Sequence, residues 1–271
     1  MSKIIKSGTL VTASETFNAD ILIDGERITS IAERIDIPGA EIIDAEGKMV
    51  LPGGIDPHTH LDLPMFDTVS SDDHYTGHKA AAFGGTTTVM DFIPQDYDTL
   101  NGSFEAWQKK SAPKAAIDYG FHMNITNFDE QVAQEIPKLL ELGITTIKVF
   151  MAYNGRLRLQ DDEIFQVMRI AEQHGMLTML HAENGDVIDI LVEEALSAGH
   201  TSAEWHAKTR PGWGGIEAVL QHGPLILFRN GDRRKSPHDP IGFMGNGTVP
   251  SSEIGIAQPL SFLLLPVSDT S

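Results

Sequence analysis

From residue 49 to about residue 200 the chain repeats one pattern: a short, continuous apolar run, then a longer segment with apolar residues at helical spacing. The apolar runs fall at 49–55, 86–92, 117–125, 145–151 and 176–181. Between them come Val132, Ile136, Leu139 and Leu140, then Ile164, Met168 and Ala171, then Val187, Leu191 and Ala195. Continuous apolar runs bounded by helices read as parallel strands covered on both faces, so the pattern predicts five βα units. Asn127 with Glu130, and Asp161-Asp162 ahead of Ile164, are the expected helix starts.

A parallel sheet either closes into an eightfold barrel or stays open and doubly wound. No Gly-x-Gly-x-x-Gly follows the first strand, and the notable polar residues sit just past strand ends, where barrel enzymes keep their chemistry. The expected fold class is therefore α/β: an incomplete (β/α)8 TIM-type barrel over residues 51–220, with about five βα units. Residues 1–50 read instead as short strands, with Asp24-Gly25 as a hairpin turn. They are expected to form a small N-terminal portion of a β-sandwich. Residues 221–271 lose the helical period and carry a basic patch of Arg229, Arg233, Arg234 and Lys235 before a Gly/Ser/Pro-rich end. A divergent tail of loops or disorder is expected there.

Composition excludes several function classes. With 38 acidic against 20 basic residues, the formal net charge is -18, which repels nucleic acid and anionic membranes. No run approaches the ~18 apolar residues of a membrane span, and no signal-peptide core follows Met1. The cytoplasm is the expected compartment. The chain has no cysteine, so a metal site must use histidine, carboxylate or a less usual donor.

Candidate ligands stand at the strand ends. The first apolar run ends in Pro52-Gly53-Gly54 and leads to His58-Thr59-His60. It reads as a buried strand whose alternating side chains aim both imidazoles to one side, unless the two are unrelated loop histidines. Lys148 lies inside the β-branched run 145–151. An ammonium there is costly without a partner. Either a carboxylate such as Asp91 or Glu183 pairs with it, or the amine is neutral and takes up carbon dioxide as a carbamate, an oxygen ligand for metal. His181 ends the fifth strand; alone it reads as a core histidine, and beside the others as a ligand. His74, His78, His122, His174, His200, His206, His222 and His238 read as surface or core residues.

The segments Pro52–His60, Gly84-Gly85-Thr86-Thr87-Thr88, Asp118-Tyr119-Gly120-Phe121-His122, Lys148-Val149-Phe150-Met151-Ala152-Tyr153 and His181-Ala182-Glu183-Asn184-Gly185 together resemble the cyclic amidohydrolases of the hydantoinase and dihydropyrimidinase family. The resemblance runs from residue 1 to about 220. It implies a hydrolase that opens the cyclic amide of dihydropyrimidines or 5-substituted hydantoins with a metal-bound hydroxide. It implies two Zn2+ per subunit, with His58 and His60 on the more buried ion, Lys148 as bridging N6-carboxylysine, and His181 on the second. Tyr153 would donate a hydrogen bond to the developing oxyanion, a contact worth ~3–4 kcal/mol when made only in the transition state. Leu63, Met65 and Phe66 would form part of the wall around the ring substituent. The family also implies a homotetramer, and the small β unit matches its N-terminal sandwich.

The resemblance stops short of two expected groups, a metal-binding histidine after the sixth strand and a proton-shuttling aspartate after the eighth. His222 and His238 do not follow apolar strands in the expected way, and no later aspartate sits at a strand end. The tail reads as unrelated sequence joined after about residue 220, as by a frameshift or premature stop, and weak activity is expected. A non-catalytic amidohydrolase-like scaffold and a non-functional truncated product are the alternatives. Dihydroorotase, a neighbouring activity, would want positive groups for a substrate carboxylate near the site, and the sequence places none.

Overall fold

A computed structural model describes residues 2–65, 68–229 and 262–266. The N-terminal strands are β1 (Lys3–Val11), β2 (Thr16–Asp24), β3 (Arg27–Ala32), β4 (Glu41–Asp44) and β5 (Lys48–Pro52). β1 pairs antiparallel with β2, and β2 with β3, through the turn at Gly25, whose φ of 59° suits glycine. β4 and β5 join β1 in parallel. A thirteenth strand, β13 (Phe262–Pro266), pairs antiparallel with β5. Ile5, Leu10, Ala19, Ile21, Ile23, Ala45 and Val50 make one buried cluster, which Phe17 and Ile43 extend. Alternation along β1 and β2 puts these side chains on one face.

The apolar run 49–55 is divided where one strand was expected. Met49 and Val50 belong to β5, in register with Thr9 and Leu10 of β1. A separate strand, β6 (Gly54–Thr59), carries the histidines. The break falls at Gly53, where a Cβ would lie 2.2 Å from the Thr87 side chain. β6 is also not the buried strand expected: its residues are exposed or half-buried, and Ile55 is 49% exposed.

A two-stranded hairpin follows, β7 (Pro64–Met65) against β8 (Thr68–Val69). The chain then alternates: α1 (His74–Phe83), β9 (Thr86–Ile93), α2 (Leu100–Ser111), β10 (Asp118–Asn124), α3 (Glu130–Glu135), β11 (Thr146–Phe150), α4 (Asp161–Gln173), β12 (Leu177–His181) and α5 (Gly185–Ser197). Two further helices follow, α6 (Glu204–Lys208) and α7 (Gly212–Arg229). Five strands form one sheet in the order β12-β11-β10-β9-β6, and the registers of β6 with β9, β10 with β11 and β11 with β12 are parallel. This is the incomplete barrel-type α/β arrangement, with a β-rich N-terminal portion. α7 continues past residue 220, where loops were expected; most of the tail lies outside the described residues.

By contact density the described residues form two compact units. One contains Met1–Asp91, Pro113–Gly120 and β13; the other contains Phe92–Ala112 and the chain from Phe121 to α7. Two helix starts differ in detail from the sequence expectation. Asp129, not Asn127, caps α3 by accepting from Val132 N at 2.8 Å. Gln160 caps α4, and Glu163 reaches back to its N–H at 2.7 Å, leaving Asp161 and Asp162 in the first turn. Asp and Glu there favour the positive end of the helix. Among the described residues no helix is long and apolar enough to cross a membrane.

Candidate metal centre

In the first unit, His58 lies near the end of β6 and His60 just beyond it. Asp56 accepts from His58 N at 3.0 Å, and the Thr59 hydroxyl donates to Met90 O at 3.1 Å, tying the strand end to β9. The two imidazoles meet edge to face, with Nε2 to Nε2 at 3.2 Å. Nitrogens at 2.0–2.1 Å from a tetrahedral zinc stand about 3.3 Å apart, so the pair can either share a proton or grip one cation.

Beneath this strand lies a buried polar group that sequence reasoning passed over as ordinary histidines. Asp91, 1% exposed, accepts from Leu61 N at 3.3 Å and stands 3.7 Å from His74 Nε2. His78, one helical turn further on α1, accepts from Ala116 N at 3.2 Å, and burial lowers its pKa. The i, i+4 spacing of His74 and His78 was the available signal.

The loop after His60 is anchored at both ends. Lys114 Nζ lies 3.0 and 2.9 Å from the Asp62 oxygens and 3.3 Å from Asp73, the N-cap of α1. Asp62 adopts a left-handed φ of 52° and accepts from His74 N. The expected wall residues Leu63 and Met65 lie on this loop, Leu63 half-buried and Met65 44% exposed. Phe66 lies outside the described residues.

In the second unit, β11 is buried throughout and Lys148 is 3% exposed. Its Nζ lies 5.2 Å from the Phe92 ring and 5.4 Å from Phe150. Among the described residues it forms no ion pair: of the two carboxylates weighed as partners, Asp91 is engaged as above and Glu183 bonds His181. Desolvation pushes the lysine pKa down. Its register neighbour on β10 is Asn124, 8% exposed, whose Oδ1 has no hydrogen-bond partner.

His181 ends β12, in register with Phe150. Its ring stacks on Phe150 at 5.8 Å and tilts against Tyr153 at 5.2 Å, and its Nε2 lies 2.7 Å from Glu183 Oε2. Tyr153 has φ of 67°, uncommon for a bulky residue and costly unless its surroundings hold it. They do: its carbonyl accepts from the N–H groups of Arg156 and Leu157. The adjacent Asn154 donates to Asp186 and Asp189 of α5, and Arg158 donates to both Asn154 and Asp186. Burial first, and Glu183 second, raise the Tyr153 pKa, with Arg210 opposing, so the phenol keeps its proton at neutral pH. Arg210 is thus a positive group near Tyr153 that the sequence alone did not place.

The structure therefore brings His58 and His60 together, and separately groups Lys148, Tyr153 and His181 around Phe150. His222 lies on α7 and His238 lies outside the described residues. Among the described residues no three His, Asp or Glu side chains converge as a metal cage. A metal centre thus needs a donor of another kind, and a carbamylated lysine is one.

A D-hydantoinase of Geobacillus stearothermophilus is 49% identical over 213 residues, covering 78% of this chain and 45% of the relative. Dihydropyrimidinase 2 of Caenorhabditis elegans is 40% identical over 215 residues, 78% of this chain and 41% of that one. Among solved structures, the dihydropyrimidinase of Brevibacillus agri superposes with a TM-score of 0.82 at 44% identity, covering 85% of this chain and 50% of the other. The chain thus spans about half the length of the relatives it matches. The model of the amidohydrolase family matches residues 49–227, the stretch that holds every residue discussed above, and the chain belongs to that family.

Proposed function

We propose that this chain carries the N-terminal part of the active site of a metal-dependent hydrolase that opens the cyclic amide of dihydropyrimidines or 5-substituted hydantoins. The observation that supports it most is Lys148, a buried amine with lowered pKa, no counter-charge among the described residues, and an unmatched amide oxygen, that of Asn124, at its register neighbour. A purely structural site rarely retains such a group. Carbamylation removes the cationic form and supplies oxygen donors.

In this reading His58 and His60 hold one Zn2+ through Nε2, carboxylated Lys148 lies between two ions, and His181 serves the second. The metals, when bound, act as Lewis acids and make water a nucleophile near neutral pH. The protein's own groups do the rest. Tyr153 donates its hydroxyl to the substrate carbonyl, its strained backbone preset by the Asn154–Arg158–Asp186 network. Leu63 and Met65 contact the ring substituent, with Phe66 assigned there on the resemblance. The assembly proposed is a homotetramer acting on a small cyclic amide in the cytoplasm. Hydrolysis by this chain is expected to be weak, because the sequence offers no match for the later histidine and aspartate that the resemblance calls for.

The test is ring opening of dihydrouracil and of a 5-substituted hydantoin, with zinc and bicarbonate supplied. Slow, zinc-dependent turnover lost in Tyr153→Phe is expected. Turnover unaffected by chelation would refute the metal mechanism.

A further inference from the structure

The bond between His181 and Glu183 has a direction. An ionised carboxylate only accepts, so at 2.7 Å it is Nε2 of His181 that carries the hydrogen. A neutral imidazole with its proton on Nε2 has its lone pair on Nδ1. His181 thus presents the opposite nitrogen from His58 and His60, whose Nε2 atoms face each other.

The backbone around Glu183 is held on both sides. Before it, β12 pairs with β11 through the Phe150–His181 register. After it, Asn184 caps α5 by accepting from Val187 N at 3.1 Å and donates to Glu217 at 2.8 Å. Gly185 then fits a space in which a Cβ would lie 2.9 Å from Asn154 Oδ1 and 3.0 Å from both Ala152 Cα and Met151 O. The imidazole itself sits against the Phe150 and Tyr153 rings. Glu183 therefore meets a ring with few alternative orientations, from a backbone with little slack.

We infer that Glu183 is a positioning residue for His181: it holds the Nε2 proton and the ring orientation so that Nδ1 is the nitrogen offered to a metal. This rests on the metal reading of the site proposed above. Carboxylates that orient a ligand histidine are typically worth about 10–100-fold in metal affinity.

The test uses Glu183→Gln in the full chain, whose amide can either donate to Nε2 or accept from it and so no longer dictates the tautomer. Nitrogen-15 NMR of the metal-free protein, with the His181 signals assigned from His181→Asn, reads the tautomer directly. Zinc competition against a chelating dye reads affinity. The expected result is an Nε2–H tautomer in the parent and a mixture in Glu183→Gln. Zinc affinity is expected to fall by about 10–100-fold while the metal-free melting temperature stays unchanged. Unchanged zinc affinity in the variant, or an Nδ1–H tautomer in the parent, would overturn the proposal. So would a variant that loses affinity only together with metal-free stability, which would mark a structural role. A parent with the Nε2–H tautomer that binds no zinc would overturn the metal reading and this inference with it, and the spectrum tells that failure from the others.

Discussion

Asp20 is 5% exposed, and its two carboxylate oxygens accept from Ser7 N and Ile35 N, each at 2.9 Å. Burial raises its pKa, but the two N–H bonds and the nearby Lys6 and Arg34 outweigh that, and the net shift is downward from 3.8. With the folded pKa depressed, the stabilisation is present above pH 3.8 and lost as pH falls through the folded value. Asp20→Ala should lower stability by about 1–3 kcal/mol at neutral pH, because two buried donors lose their acceptor. In urea unfolding, the gap to the parent should close below pH 4; a gap independent of pH would contradict it. Lys148→Met poses the opposite case. Exchanging a buried, unpaired amine for an apolar side chain of similar length should leave the metal-free protein as stable or stabilise it by about 1–3 kcal/mol, while removing metal binding. Clear destabilisation of metal-free Lys148→Met in the same unfolding assay would contradict this reading of Lys148. Lys148 could be singled out in the sequence because a charge inside a β-branched run breaks a local rule. Asp20, Glu183 and Arg210 could not. Each is an ordinary polar residue until folding brings a distant N–H, imidazole or phenol to it.

At the scale of elements, period and turn chemistry located the strands and helices, and errors came where two neighbours compete for one run. Residues 49–55 are apolar throughout, yet Val50 packs in the N-terminal cluster while the segment from Gly54 pairs with β9. Nothing local marks the change except Pro52-Gly53-Gly54. The α3 and α4 caps were placed within three residues, since Asn, Asp and Gln can all supply the capping oxygen. Gly185 joins β12 to α5 with no room for a methyl group, and two of the atoms in the way are backbone. Gly185→Ala should therefore cost about 1–3 kcal/mol, as overpacking does. It should also disturb the Asn154–Arg158–Asp186 ties that hold Tyr153. The check is a thermal melt combined with proteolysis of the 151–159 loop. A variant with parental melting and unchanged cleavage would show that the contact gives way freely.

At the scale of the whole molecule, β6 and β12 stand at the two ends of the five-stranded order, with Ile55 49% and Leu177 55% exposed. On α7, Trp213, Ile216 and Leu220 form a helical stripe, each 60% exposed or more. Open parallel edges and exposed apolar stripes promote association. Sedimentation should show this chain associating as concentration rises, with Leu177→Lys reducing the effect; a monodisperse monomer across the range would contradict it. The barrel class was readable because five βα units repeat, whereas nothing in one sequence shows which surfaces those units leave uncovered.

Carbamylation of Lys148 is the step on which the proposed chemistry depends, and it is directly observable. Protein equilibrated with carbon-13 bicarbonate and zinc should show one carbamate resonance by carbon-13 NMR, absent from Lys148→Met. A parent spectrum without that resonance, in protein that nevertheless binds zinc and opens a hydantoin ring, would contradict the role given to Lys148.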